Sequence, residues 1–277
     1  MCASKARPEF ISVIMPIYNS DNRLLYKAVW SILEQDHENF ELIIVEDPSP
    51  RIASGTIAGF RDPRIRYILN KKRTSFPSQL NQCLEMSGSN YAARMDGDDI
   101  AEPNRLSCQF EFMNRHQEIS LVGTNLKIIN ESDRVMGIRV YPENPKQIAL
   151  KMRKLNAVAH PSVLFRKEDI IELGGFRTEF GLLADYDLWC RMILAGKSLY
   201  NIQKPLLRYR IHTQASKVTS LKKTIKTTME IKRRHFKGKE GLWGVGETIR
   251  YGFEQVLMVV PDSIILRMFM KLTVRKK

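Results

Sequence analysis

Four short apolar runs in the first hundred residues each stop on polar or charged residues, and these repeated stops constrain the fold more than any other feature. Residues 10–15 run into Pro16 and then Ile17-Tyr18-Asn19-Ser20-Asp21-Asn22; residues 40–45 stop on Glu46-Asp47-Pro48-Ser49. Residues 65–69 stop on Asn70-Lys71-Lys72-Arg73, and residues 91–95 on Asp96-Gly97-Asp98-Asp99. Runs this short and this uniformly apolar predict strands covered on both faces. Between them, Leu25, Ala28, Val29 and Ile32 recur at helical spacing and predict a helix over 23–35; Leu80, Cys83 and Leu84 predict another over 78–86. Strand, helix and strand at these lengths make a βαβ unit with a right-handed crossover. The stops therefore gather at the carboxyl edge of the sheet, where open α/β sheets bind ligands.

The fourth stop carries the most chemistry. Asp96, Asp98 and Asp99 repel one another and are costly to leave unpaired near a core. Gly97 permits a sharp turn, so the carboxylates on either side can converge. A hard divalent cation, Mg²⁺ or Mn²⁺, is the usual relief, taking one or two carboxylates plus substrate phosphates. The plainer reading is a solvated acidic turn before a helix that Pro103 begins, with Asp99 or Glu102 favourable at its N-terminus. Position at a strand end favours the cation.

Beyond residue 103 the pattern predicts a helix over 103–116, a strand over 120–125, and a hairpin of 127–130 with 135–140 around Glu131-Ser132-Asp133. A basic helix follows over 145–155, then a turn into a strand at 160–166 and a helix closed by Gly174-Gly175. Another helix opens at Asp185, and 198–202 and 206–211 read as short strands. From residue 217 the composition shifts to a basic helix with Lys222, Lys223, Lys226, Lys232, Arg233 and Arg234, then a Gly-rich joint at 238–246 and an apolar tail broken at Pro261. The chain thus divides into residues 1–215 and an extension, 216–277.

The 277 residues carry a net charge of +14, which calls for an anionic partner. Nucleic acid is not expected, because aromatic and basic residues are little interleaved and the charge concentrates after residue 217. A basic helix before a Pro-broken apolar segment fits an interfacial anchor on an anionic membrane surface. A solvated basic face with a core-packing helix is the plain alternative. The four cysteines (Cys2, Cys83, Cys108, Cys190) are scattered, which disfavours structural zinc or a disulfide framework and suits a reducing compartment. No signal peptide and no spanning apolar run is read, so a soluble or peripheral protein is expected.

Five stretches, in order, carry a resemblance: Val-Ile-Met-Pro-Ile-Tyr-Asn (13–19), Ile-Val-Glu-Asp-Pro-Ser (44–49), Arg-Met-Asp-Gly-Asp-Asp (94–99), His-Pro-Ser-Val-Leu-Phe-Arg (160–166) and Asp-Tyr-Asp-Leu-Trp-Cys-Arg (185–191). Together they resemble family 2 glycosyltransferases of the bacterial surface-polysaccharide type, over residues 8–214. The resemblance implies the GT-A fold, a Rossmann-like mixed α/β sheet flanked by helices, with a nucleotide-sugar half over 8–100 and an acceptor half over 101–215. It implies transfer of a sugar, with inversion, from a nucleotide-diphosphate sugar to a glycan or lipid-linked glycan hydroxyl, with Mn²⁺ or Mg²⁺. It further implies a cytoplasmic enzyme, or one peripheral on the cytoplasmic membrane face.

Carried over by position, Pro16, Tyr18 and Asp47 match the nucleotide-base pocket and Asp96 the ribose-side carboxylate. Asp98 matches the metal ligand, His212 a histidine that reaches the metal or diphosphate, and Asp185 the general base. The plain alternative is that Asp185 or Asp187 only caps its helix. Asn81 matches a residue beneath the donor loop, with a capping or turn role equally open, and His160 reads as structural, shaping the turn at Pro161. Three departures stand out: Pro48 where a Gly is usual, the basic Asn70-Lys71-Lys72-Arg73 loop, and Ala184 in place of an acid before Asp185. A nucleotide-sugar-binding protein of the same fold without transferase activity is the competing reading.

Overall fold

The computed structural model describes residues 10–211 and 216–238, with residues 244, 246, 248, 249 and 252. The chain opens with β1 (Ile11–Tyr18), α1 (Asn22–Leu33), β2 (Phe40–Asp47), α2 (Ser54–Ala58), β3 (Ile65–Leu69), α3 (Phe76–Met86) and β4 (Tyr91–Arg94). Each helix start is chemically marked. Asp21 accepts hydrogen bonds from the N–H groups of Arg23 and Leu24 at the head of α1, and Ser75 accepts from Ser78 N–H at the head of α3, where Pro77 sits in the first turn.

These strands pair in parallel in the order β3-β2-β1-β4. The expected stop of β1 at Pro16 does not occur; β1 continues beside β2 until Tyr18 faces Asp47. The reason lies on the other side of the strand. β4 pairs with β1 only as far as Ile14 and Arg94, and Met95 N–H donates to Ile14 C=O at 3.0 Å. Pro16, two residues on, turns its missing N–H toward the side that β4 has left, so no ladder bond is lost.

The second half comprises β5 (Ile100–Ala101), α4 (Arg105–Arg115), β6 (Ile119–Ile129), β7 (Val135–Arg139), α5 (Pro145–Met152), β8 (Leu164–Arg166), α6 (Lys167–Glu172), α7 (Ala184–Leu194), β9 (Ser198–Arg210) and α8 (Ser216–Phe236). β8 joins β4 antiparallel, and the sheet continues β8-β6-β9-β5 with β7 paired to β6, giving nine strands among the described residues. Sequence patterning broke β6 and β9 each into two strands. In the structure each is continuous, because register shifts around Thr124 and Asn125 absorb Pro205 opposite Asn125. The hairpin around Glu131-Ser132-Asp133 forms as expected.

Alternation along β1 separates two apolar layers. Val13 and Met15 face Leu25, Ala28, Val29 and Ile32 of α1 and Leu106, Phe110 and Met113 of α4. Ile14 faces the opposite layer, built from Leu80, Cys83 and Leu84 of α3, Ile148 and Met152 of α5, and Leu188 and Trp189 of α7. Ile231 and Phe236 of α8 belong to that same layer.

Candidate active site

The ends of β1 and β2 lie side by side at the carboxyl edge of the sheet. Asp47 is buried at the end of β2, and its carboxylate accepts from Thr74 N–H at 2.6 Å, Thr74 Oγ1–H at 2.9 Å and Asn70 Nδ2–H at 2.8 Å. Asp47 thus pins the basic loop after β3 to the sheet edge. Arg73 of that loop stacks its guanidinium 4.2 Å from the ring centre of half-exposed Tyr18. Pro16 and Tyr18 stand beside Asp47, while Gln79 of α3 donates to the carbonyls of Ile17 and Val45 and ties the strand ends together. Glu46 turns to the other side, where it accepts from Ala53 N–H and Tyr67 Oη–H.

The Asp96-Gly97-Asp98-Asp99 turn packs against the end of β1. A Cβ on Gly97 would lie 3.0 Å from Ile17 Cγ2 and 3.3 Å from Leu25 Cδ1, so any larger residue here must push these side chains aside by a few tenths of an ångström. The mutual repulsion expected of the carboxylates is partly relieved by the protein: Arg94, Arg105 and Arg210 are all fully buried around the turn. Arg94 pairs with Asp96. Arg105 donates to the Arg94 carbonyl at 2.6 Å, and burial pulls its guanidinium down to about 9. Arg210 donates to the Asp98 and Asn130 carbonyls, each at 2.8 Å, and lies 2.6 Å from Asp133. Sequence reading missed all three arginines, since nothing in the pattern separates a buried guanidinium from a solvated one.

The crowding of the carboxylates is not fully relieved. Asp99 is held well above the usual carboxylate range, first by burial and then by the charges of Asp96 and Asp98, which favours its neutral form, and its Oδ2 has no hydrogen-bond partner. Asp96 and Asp98 are partly accessible. Clustered oxygen donors of this kind fit a hard divalent cation, with its remaining ligands drawn from outside the turn. Among the described residues no group of three or more His, Cys, Asp or Glu is placed to hold a metal unaided. His212 lies outside the described residues, as does most of the expected membrane-binding tail.

Asp185 comes from the first turn of α7 and is buried. Asn156 Nδ2–H donates to its Oδ2 at 2.8 Å, while Oδ1 is unpartnered. Burial pushes this carboxyl up to about 6, opposed by N–H donation from its own helix start, by Asn156 and by the Arg94 charge. Arg94 therefore acts on both groups, pairing with Asp96 and biasing Asp185. His160 packs within an aromatic group of Phe76, Phe176 and Trp189, and burial, with Arg94 nearby, holds it well below the ordinary imidazole value. Asn81 exchanges two hydrogen bonds with Phe176, N–H to Oδ1 and Nδ2–H to carbonyl, both 2.9 Å, and fixes the turn after Gly174-Gly175.

The sequence model for glycosyl transferase family 2 matches residues 12–174. The chain belongs to that family. It is 35% identical over 213 residues to the putative glycosyltransferase EpsE of Bacillus subtilis, covering 75% of each chain. It is 32% identical over 223 residues to the O-antigen biosynthesis glycosyltransferase WbnJ of Escherichia coli, covering 77% of this chain and 84% of WbnJ. The fold is also that of the mannosyltransferase PcManGT from Pyrobaculum calidifontis, solved with GDP-Man and Mn²⁺. That match has a TM-score of 0.62 and 14% identity, over 98% of this chain and 82% of the other. The protein is a family 2 glycosyltransferase with the GT-A fold.

Proposed function

We propose that this glycosyltransferase moves a sugar, with inversion and with the help of a divalent cation, from a nucleotide-diphosphate sugar to a glycan or lipid-linked glycan hydroxyl in surface-polysaccharide synthesis. The observation that carries the reading is Asp185: a buried carboxyl with one free oxygen, pushed up to about 6, that shares the influence of Arg94 with Asp96 of the acidic turn. A group poised near the working pH is what general-base assistance needs.

In this reading Pro16, Tyr18 and the loop pinned by Asp47 flank the base, and Asp96 takes the ribose side. Because the Asp47 carboxylate is engaged by Thr74 and Asn70, it shapes the base pocket through that loop. Asp98, with His212 as a second candidate, would hold Mn²⁺ or Mg²⁺. Such a cation supplies Lewis-acid neutralisation of the departing diphosphate. Asp185 Oδ1 takes the proton of the acceptor hydroxyl, and the hydroxyl oxygen forms its bond to the anomeric carbon from the face opposite the leaving group. The carbon–oxygen bond to the diphosphate breaks as it does so, and the configuration inverts. In this reading residues 8–100 form the donor half and residues 101–215 the acceptor half. The exposed Lys223, Lys226 and Arg233 of α8 favour peripheral contact with an anionic membrane. NMR of the anomeric proton in the product tests the reading: inversion is expected, and retention of configuration overturns it.

A further inference from the structure

We infer that α8 belongs to the catalytic apparatus and that His235, on its last turn, is a positioning residue for the transfer step, holding the segment that carries Asp185. The inference rests on the reading of Asp185 as the base. The basic helix looks from its sequence like an outward appendage. Instead its far end is built into the core, with Met229, Ile231, Lys232, His235 and Phe236 buried.

The contacts fall on both sides of Asp185. After it, Asp187 is fully buried, accepting from Arg191 Nε–H at 2.8 Å through one oxygen and lying 2.7 Å from His235 Nε2 through the other. Before it, Arg234 pairs with Glu179 and lies over the Phe180 ring, 5.4 Å from its centre. Residues 179, 180 and 187 thus bracket the base, and α8 grips all three.

Local structure gives this segment little support. The 3-10 stretch Thr178–Leu183 is broken at Gly181, whose φ of +52° and ψ of −122° turn the chain sharply. At the head of α7 the cap position is Leu183, which offers no side-chain hydrogen bond. A first turn without a cap is held by what packs on it. Two residues along a helix are about 200° apart, so Asp187 can face α8 while Asp185 faces Asn156. A shift on one side is carried to the other by a rigid turn. Displacing a reacting group by about 1 Å costs on the order of 10²-fold in rate.

The test uses the full chain and four variants: His235→Ala, His235→Gln, Arg234→Ala and, on the exposed face of α8, Glu230→Ala. Turnover per folded enzyme and calorimetric affinity for the nucleotide-sugar donor are measured for each. We expect His235→Ala to lose about 10–100-fold in kcat with donor affinity unchanged. Glutamine, which restores a donor near the Nε2 position, should recover most of that loss; Arg234→Ala should also lower kcat, and Glu230→Ala should match the wild type. Wild-type kcat in folded His235→Ala, even with a lowered melting temperature, reduces α8 to a stabilising element and overturns the inference. Should His235→Ala not fold, wild-type kcat in Arg234→Ala overturns it equally. Asp185→Asn separates the two readings: if it is inactive while His235→Ala is fully active, only the clamp fails, whereas full activity in Asp185→Asn removes the base.

Discussion

Asp185 sits where its surroundings oppose its charge. A carboxyl raised from 3.8 to about 6 destabilises the folded protein when ionised, by about 3 kcal/mol. That cost is fully present above the folded value near 6 and vanishes below the unfolded value near 4. Asp185→Asn, which keeps the shape and can still accept from Asn156, should therefore lose ~10²–10⁴ in turnover and yet melt higher at pH 8. Simple capping predicts the reverse on both counts, and calorimetry with a transfer assay reads both. In the wild type, turnover should fall as pH drops through about 6. Asp187 differs despite lying two residues away. Asp187→Ala removes the carboxylate paired with Arg191, whose bonds to the Leu173 and Gly175 carbonyls remain, and takes away the partner of His235. Breaking a buried pair of this kind costs about 3–5 kcal/mol, and chemical denaturation checks it. Sequence alone left both residues as candidate caps. Neither serves as the cap, and only the fold, by placing Asn156 on one and α8 on the other, tells them apart.

Among the elements, the loop after β3 and helix α8 depart furthest from their sequence appearance. The loop with Lys71, Lys72 and Arg73 stood out from its sequence as a basic departure from the family pattern; in the structure Arg73 stacks on Tyr18 and the loop is fastened to Asp47. β1 to β4 were legible because alternating apolar runs and marked helix starts agree with each other. α2 and the two-residue β5 were not, being too short to carry a period. α8 was readable as a basic helix, but its second, buried face was not. The exposed face supports a prediction about membranes. Replacing Lys223, Lys226 and Arg233 by Gln should weaken binding of the whole chain to anionic vesicles by about 3 kcal/mol, roughly 100-fold, at about 1 kcal/mol per cation. Added salt should weaken wild-type binding in the same direction. Equal sedimentation of variant and wild type would discard the membrane contact.

For the molecule as a whole, ligand binding and folding are linked. A nucleotide-diphosphate sugar with Mn²⁺ at a hundred times its Kd should stabilise the protein by about 2.7 kcal/mol, seen as a higher melting temperature. Asp98→Asn should keep the fold and lose the increment due to Mn²⁺; an undiminished increment would remove Asp98 from the metal site. The carboxyl-edge placement of this site was legible from where the apolar runs stop. The three buried arginines were not, because their burial depends on how α4 folds back on the turn and on β9, 111 residues from Asp99 at Arg210, arriving beside it.

The pairing of Asp187 with His235 spans 48 residues, and a ribosome makes the two in that order. At roughly 5–20 residues per second, several seconds separate them. Strands β1 to β4, complete by Arg94, emerge well before either. A nascent chain therefore has these four strands in hand before His235 exists to pair with Asp187. If α8 positions Asp185 as inferred above, transfer can begin only after α8 has left the exit tunnel.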